Sequence, residues 1–117
     1  MKTSLRELKS SVAESLHRAP IIAVVRHADR AVAASQARAF MRHGLEMIEV
    51  TFTVPGATDL VRELLDLRPA GSTIRIGMGT VTTAARARDA VAAGSEFLVT
   101  PNVSAAVAGI AHAEDLF

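Results

Sequence analysis

Apolar positions along the chain change their spacing in a regular way. In the opening stretch MKTSLRELKSSVAESLHR, Leu5, Leu8, Val12 and Leu16 recur every three or four residues and form one stripe of an amphipathic helix. Pro20 ends that pattern, and IIAVV follows as a short β-branched run, the signature of a buried strand. Asp29 then precedes RAVAASQARAFMRHG, which is alanine-rich and helical and is closed by Gly44. The same alternation continues. MIEVTF is a strand, and PGATDLVRELLDL is a helix with Pro55 near its start and Arg68-Pro69 at its end. TIRIGM is a strand, TTAARARDAVAAG a helix closed by Gly94, EFLVT a strand, and NVSAAVAGIAHA the beginning of a further helix.

Strands therefore begin near Ile21, Met47, Ile74 and Phe97, roughly 25 residues apart, the length of one strand plus one helix in a parallel α/β fold. An internal echo supports this reading. GLEMIEVT from Gly44 and GSEFLVTP from Gly94 align at an offset of 50 residues, which places Glu49 on Val99. An aliphatic residue thus serves at the equivalent position, so the repeat itself does not require a carboxylate there.

That makes Glu49 the first candidate for chemistry. Parallel α/β folds carry their sites at the carboxyl ends of the strands. Glu49 lies near the end of the second strand, Arg26 directly follows the first, Gly77 to Thr80 close the third, and Thr100, Pro101 and Asn102 follow the fourth. Burial would raise the pKa of Glu49 and suit it to general acid–base work. The plainer alternatives are a half-exposed edge position or a structural pair with Arg26. Arg26 itself could pair with Glu49, hold an anionic substrate, or cap the surface near Asp29. GMGT reads either as a tight turn or as a place of close backbone approach, with Thr80 as a hydroxyl donor. It lacks the third glycine of a dinucleotide loop, and no nucleotide P-loop is present. His17, His27, His43 and His112 show no metal-ligand spacing, and only His27, beside Arg26, stands near the candidate site.

Composition narrows the classes further. The 117 residues are 50% hydrophobic, enough for one small domain spanning residues 1–117. Thirteen basic and 12 acidic residues leave a net charge of +1, which gives no electrostatic case for nucleic acid or a membrane surface. There are no cysteines, which excludes disulfides, thiolate nucleophiles and cysteine-ligated metal. The longest strictly apolar run, Ile21 to Val25, is far short of a membrane span, and the charged N-terminus lacks the core of a signal peptide. A cytoplasmic protein is expected.

Four motifs, IIAVVR, GLEMIEVTFTVPGA, IGMGTVTT and AGSEFLVTPN, stand in this order between Ile21 and Asn102. Together they resemble the 2-keto-3-deoxy-6-phosphogluconate (KDPG) aldolases, which overlap with the 4-hydroxy-2-oxoglutarate (KHG) aldolases. The resemblance implies a (β/α)8 TIM barrel preceded by an N-terminal helix, with this chain supplying about four βα units, a half barrel. It implies homo-oligomers, commonly trimers, and class I chemistry of the Entner–Doudoroff type without metal or cofactor. In that chemistry a lysine forms a Schiff base with pyruvate while a glutamate shuttles protons. The substrate, a 2-keto-3-deoxy sugar-acid phosphate or 4-hydroxy-2-oxoglutarate, is cleaved to pyruvate plus an aldehyde. By motif, Glu49 resembles the catalytic glutamate, Thr80 the threonine near the pyruvyl group, Pro101 the proline of the strand-four turn and Arg26 an active-site arginine. Thr51, Thr53 and Gly79 complete the expected substrate-binding set.

The chain departs from the family pattern in three places. GMGT stands for the usual GAGT, so Met78 is expected to add bulk beside the substrate turn. Thr53 stands where many members carry an arginine. The Schiff-base lysine, on the sixth strand of the family barrel, has no counterpart, since the lysines here are Lys2 and Lys9 in the N-terminal helix. The chain alone is therefore expected to be inactive as a class I aldolase. Half a barrel also leaves two sheet edges and an open apolar face. These could be hidden by pairing of two half barrels or in an oligomer of open sheets. The abrupt ending AHAEDLF favours instead a truncated gene product. A second reading is a non-catalytic remnant that serves as an oligomerisation or pyruvate-binding module. A different (β/α) phosphate-binding protein is a third, against which the missing glycine patterns weigh.

Overall fold

The computed structural model describes residues 5–117, apart from the side chains of Leu5, Arg6 and Leu8. Two positions of the expected apolar stripe, Leu5 and Leu8, and the residue Lys2 thus lie outside the described side chains. The elements run α1 (Leu5–Arg18), β1 (Ala23–Val25), α2 (Arg30–Arg42), β2 (Met47–Thr51), α3 (Ala57–Leu67), β3 (Arg75–Gly79), α4 (Ala84–Ala92) and α5 (Ala105–Ala113). The strands form one parallel sheet in the order β1-β2-β3. This is the expected helix followed by βα units of a partial barrel.

The helix boundaries follow local chemistry. The Asp29 carboxylate accepts from the N–H groups of Ala31, at 2.8 Å, and Val32, satisfying donors that the first turn of α2 leaves free. Thr83 and Ser104 do the same for α4 and α5 through the N–H groups of Arg86 and Val107. Gly44 and Gly94 follow the ends of α2 and α4 with φ of 81° and 90°, the left-handed geometry that the sequence reading assigned to them as caps.

The fourth strand is looser than the sequence suggests. The segment Phe97 to Val99 runs beside β3, with the Met78 N–H donating to the Phe97 carbonyl and the Val99 N–H to the Met78 carbonyl at 2.9 Å. It forms one isolated bridge, Met78 with Leu98, rather than a regular strand. Its far side is met by the C-terminal residues, where the Leu98 N–H donates to the Phe117 carbonyl at 3.0 Å. The first strand is also shorter than IIAVV, because β1 is paired on one side only and Ile21 lies 59% exposed in the turn before it.

Register decides what faces where. Val24, Glu49 and Gly77 lie in one row across the sheet, flanked by the rows Ala23–Ile48–Ile76 and Val25–Val50–Met78. Cα partners in a parallel sheet share a face, and neighbours along a strand alternate. The flanking rows bury against the helices, where Val25, Ile48, Val50, Ile76 and Met78 pack with Ala33, Ala37, Leu60, Leu64 and Ala87. The row that carries Glu49 faces the other way. On that face Val12 of α1 packs with Met47 and Phe97, joined by Leu16, Ile22 and Val99. The N-terminal helix therefore covers the amino ends of the strands on the inner face and leaves their carboxyl ends free.

Candidate functional site

Glu49 occupies the middle of β2 and is 7% exposed, which excludes the half-exposed edge reading. Its side chain reaches along the inner face towards the carboxyl end of β3 and lies over Gly79. A Cβ on Gly79 would overlap the Glu49 carboxylate, so any side chain there displaces the acid from its place, and no turn conformation calls for the glycine. Gly77 plays the same part for Phe97, whose ring fills the space a side chain at 77 would take. The two glycines of GMGT thus create a smooth patch on which an acid and an aromatic ring rest. Among the described residues no fully buried side-chain nitrogen or oxygen lacks a partner. The Glu49 carboxylate, which makes no hydrogen bond there, accordingly keeps contact with solvent at the strand ends.

Burial raises the pKa of Glu49 above the ordinary 4.5, and the positive field of Arg26 partly opposes that shift. Arg26 follows β1, and its guanidinium is not a direct partner of the acid. Arg26 Nη2 donates to Thr80 Oγ1 at 3.2 Å, so the structural Glu49–Arg26 pair considered above is replaced by an Arg26–Thr80 bond. Thr80 holds a left-handed backbone with φ of 57°, an uncommon conformation for a β-branched residue. The structure thereby brings Glu49, Gly79, Thr80 and Arg26 to one end of the sheet.

Thr51 and Thr53 stand beside them. Thr51 is fully buried on the Glu49 face, Thr53 is exposed, and their hydroxyls are 2.6 Å apart. Pro101 lies in an exposed bend pinned by the Thr100 hydroxyl, which donates to the Asn102 carbonyl at 2.8 Å. No hydrogen bond among the described residues ties that bend to the Glu49 group. Met78 requires a correction. It is fully buried on the helix side of the sheet, one register position away from the glycine face, and adds no bulk beside the site. His27 accepts from the Asp29 N–H at 2.9 Å and serves the turn before α2.

Two neighbours of the site escaped the sequence reading. Arg86, in the first turn of α4, donates to the Thr80 carbonyl at 3.0 Å and to Thr82 Oγ1 at 3.1 Å. Its guanidinium carbon lies 5.3 Å from the centroid of the Phe52 ring, which follows β2. The available signal was a basic residue at a helix start that contains no acid, a poor choice for the helix dipole.

A parallel sheet with helices on one face and an acid buried near its strand carboxyl ends matches the architecture of a partial α/β barrel, in which such ends are the place for a site. Comparison gives the family: the model of KDPG and KHG aldolases matches residues 12–116, and the chain belongs to that family. The 2-dehydro-3-deoxy-phosphogluconate aldolase of Treponema pallidum (strain Nichols) is 32% identical over 102 residues, which cover 87% of this chain and 46% of that protein. The 2-keto-3-deoxy-6-phosphogluconate aldolase of Zymomonas mobilis ATCC 29191 superposes with a TM-score of 0.73 at 28% identity, over 90% of this chain and 49% of the other. The Zymomonas mobilis ZM4 enzyme, determined with 3-phosphoglycerate, gives a TM-score of 0.72 at 25% identity, over 97% of this chain and 50% of the other. The chain spans about half the length of the relatives it matches.

Proposed function

We propose that residues 1–117 act as one unit, the acid–base half of a KDPG/KHG-type aldolase site. In this reading Glu49 carries protons to and from a 2-keto acid during carbon–carbon cleavage to pyruvate and an aldehyde. The substrate is a 2-keto-3-deoxy sugar-acid phosphate or 4-hydroxy-2-oxoglutarate, used in cytoplasmic carbohydrate metabolism. The observation that carries the reading is the placement of Glu49: a carboxylate buried in a parallel sheet, lying over a glycine at the strand ends, with its pKa raised by burial. A raised pKa brings the acid closer to neutrality, where it can both give and take a proton. Arg26 and Thr80 are the donors for the keto-acid oxygens, Gly79 gives the Glu49 carboxylate its place beside them, and Thr51, Thr53 and Pro101 border the bound molecule.

The reaction also needs an amine on the keto carbon. Lys9 lies on α1, 3.9 Å from Asp115, on the helix that covers the amino ends of the strands, and Lys2 lies outside the described residues. Taken alone, the chain binds a keto acid reversibly and does not form a Schiff base with it. This favours the pyruvate-binding module as the second reading for the isolated chain. Assembly into homo-oligomers, by trimer formation or by pairing of half barrels, is part of the proposal. Borohydride reduction in the presence of pyruvate, read by intact mass, tests the lysine argument. The expected result is the unmodified mass, and a stoichiometric pyruvyl adduct overturns it.

A further inference from the structure

Arg86 is oddly placed for a helix residue. It is the third residue of α4 after the Thr83 cap, where a positive charge opposes the helix dipole and where a glutamate or glutamine is the usual choice. Yet its side chain is the most engaged group at this end of the sheet. One nitrogen donates both to the Thr80 carbonyl and to the Thr82 hydroxyl, while the guanidinium lies over Phe52. It therefore links the segment after β2 to the turn after β3. The residue it grips, Thr80, has a left-handed backbone, and its hydroxyl accepts from Arg26 on the far side. The Val81 N–H, bonded to the Val99 carbonyl at 3.1 Å, fixes the chain beyond it.

We propose that Arg86 is a positioning residue that holds Thr80 in its left-handed conformation and so presents the Thr80 hydroxyl to Arg26 and to the site beside Glu49. A threonine with φ of 57° is strained and persists only when its surroundings impose that geometry. Bonds on both its carbonyl and its hydroxyl do so here. Without Arg86 the peptide joining Thr80 to Val81 keeps only the Val81 N–H bond to Val99, the strained Thr80 backbone relaxes towards negative φ, and the hydroxyl leaves Arg26. The role in ligand binding rests on the keto-acid reading above, whereas the conformational role does not.

The test compares the whole chain with Arg86→Gln and Arg86→Lys. The intraresidue amide–Hα NOE of Thr80, strong only at positive φ, reads the conformation without any ligand. It is expected to be strong in the unaltered chain, weakened severalfold in Arg86→Gln and partly restored in Arg86→Lys. The melting temperature of Arg86→Gln is expected to stay level or rise, because glutamine suits that helix position. An unchanged NOE in Arg86→Gln, or a lower melting temperature with the NOE retained, overturns the proposal. Titration with pyruvate then reads the second part, with an expected loss of about tenfold in affinity for Arg86→Gln, the scale of one charge-assisted hydrogen bond. If pyruvate leaves Thr80 of the unaltered chain unperturbed, the keto-acid reading fails and the NOE still decides the role of Arg86.

Discussion

At the scale of single residues, Glu49 organises its surroundings more than its position in the sequence reveals. Its folded pKa is raised, so the folded chain holds that proton more tightly than the unfolded chain. The contribution of this group to stability is thus fullest below the ordinary carboxylate pKa of 4.5 and is lost as pH rises through the folded value. Glu49→Gln removes the loss. Its melting temperature is expected to exceed that of the unaltered chain at pH 7, with the gap closing towards pH 4, and a gap that widens in acid would contradict the burial argument. Gly79 supplies a second prediction. Gly79→Ala is expected to cost about 1–3 kcal/mol in urea unfolding, the usual scale for overpacking, and distinctly less in a Glu49→Ala background, where the overlapping carboxylate is gone. The oddity of Glu49 was legible because one charged residue interrupts an apolar strand that its own repeat fills with an aliphatic. The need for Gly79 was not, since the group it accommodates comes from the neighbouring strand. Register, not spacing along the chain, joins them, and the same register sends Met78 into the helix-side core.

At the scale of elements, the alternation of strand and helix was readable because Asp29 marks the start of α2, Gly44 and Gly94 the ends of α2 and α4, and the prolines the ends of α1 and α3. The edges were harder to read. A strand forms only where a neighbour pairs with it, and both IIAVV and EFLVT lack a regular partner on one side, so they shorten to Ala23–Val25 and to a single bridge. The loose fourth segment is held at its start by Glu96, which is 7% exposed, accepts from the Ile76 N–H at 3.0 Å and is ion-paired with Arg68 at the end of α3. Arg68 also donates to the Ile74 carbonyl at 2.9 Å. Glu96→Gln keeps an acceptor for Ile76 but leaves the Arg68 charge without its partner. A loss of about 2 kcal/mol is expected in urea unfolding, below the roughly 3–5 kcal/mol of fully buried pairs because Arg68 retains some water. A loss below about 0.5 kcal/mol, the level of ordinary surface substitutions, would show that the pair does not hold the segment.

At the scale of the whole molecule, the sheet ends at β1 with its outer edge unpaired among the described residues, and Val24 there is 49% exposed in the same row as Glu49 and Gly77. On the opposite side the backbone of Leu98 already meets Phe117. Association through the β1 edge is therefore expected, and Val24→Lys, a charge on an edge strand, should shift sedimentation towards the monomer. An assembly state unaffected by that substitution would place the interface elsewhere. The functional reading is a claim about the strand carboxyl ends as a set: Glu49, Gly79, Thr80 and Arg26 receive a keto acid even though no lysine stands among them. Its most direct test is a two-dimensional amide NMR titration of the whole chain with pyruvate. Saturable shifts confined to Gly79, Thr80 and the Thr51–Thr53 segment are predicted, whereas no shifts, or shifts elsewhere in the molecule, would contradict the account.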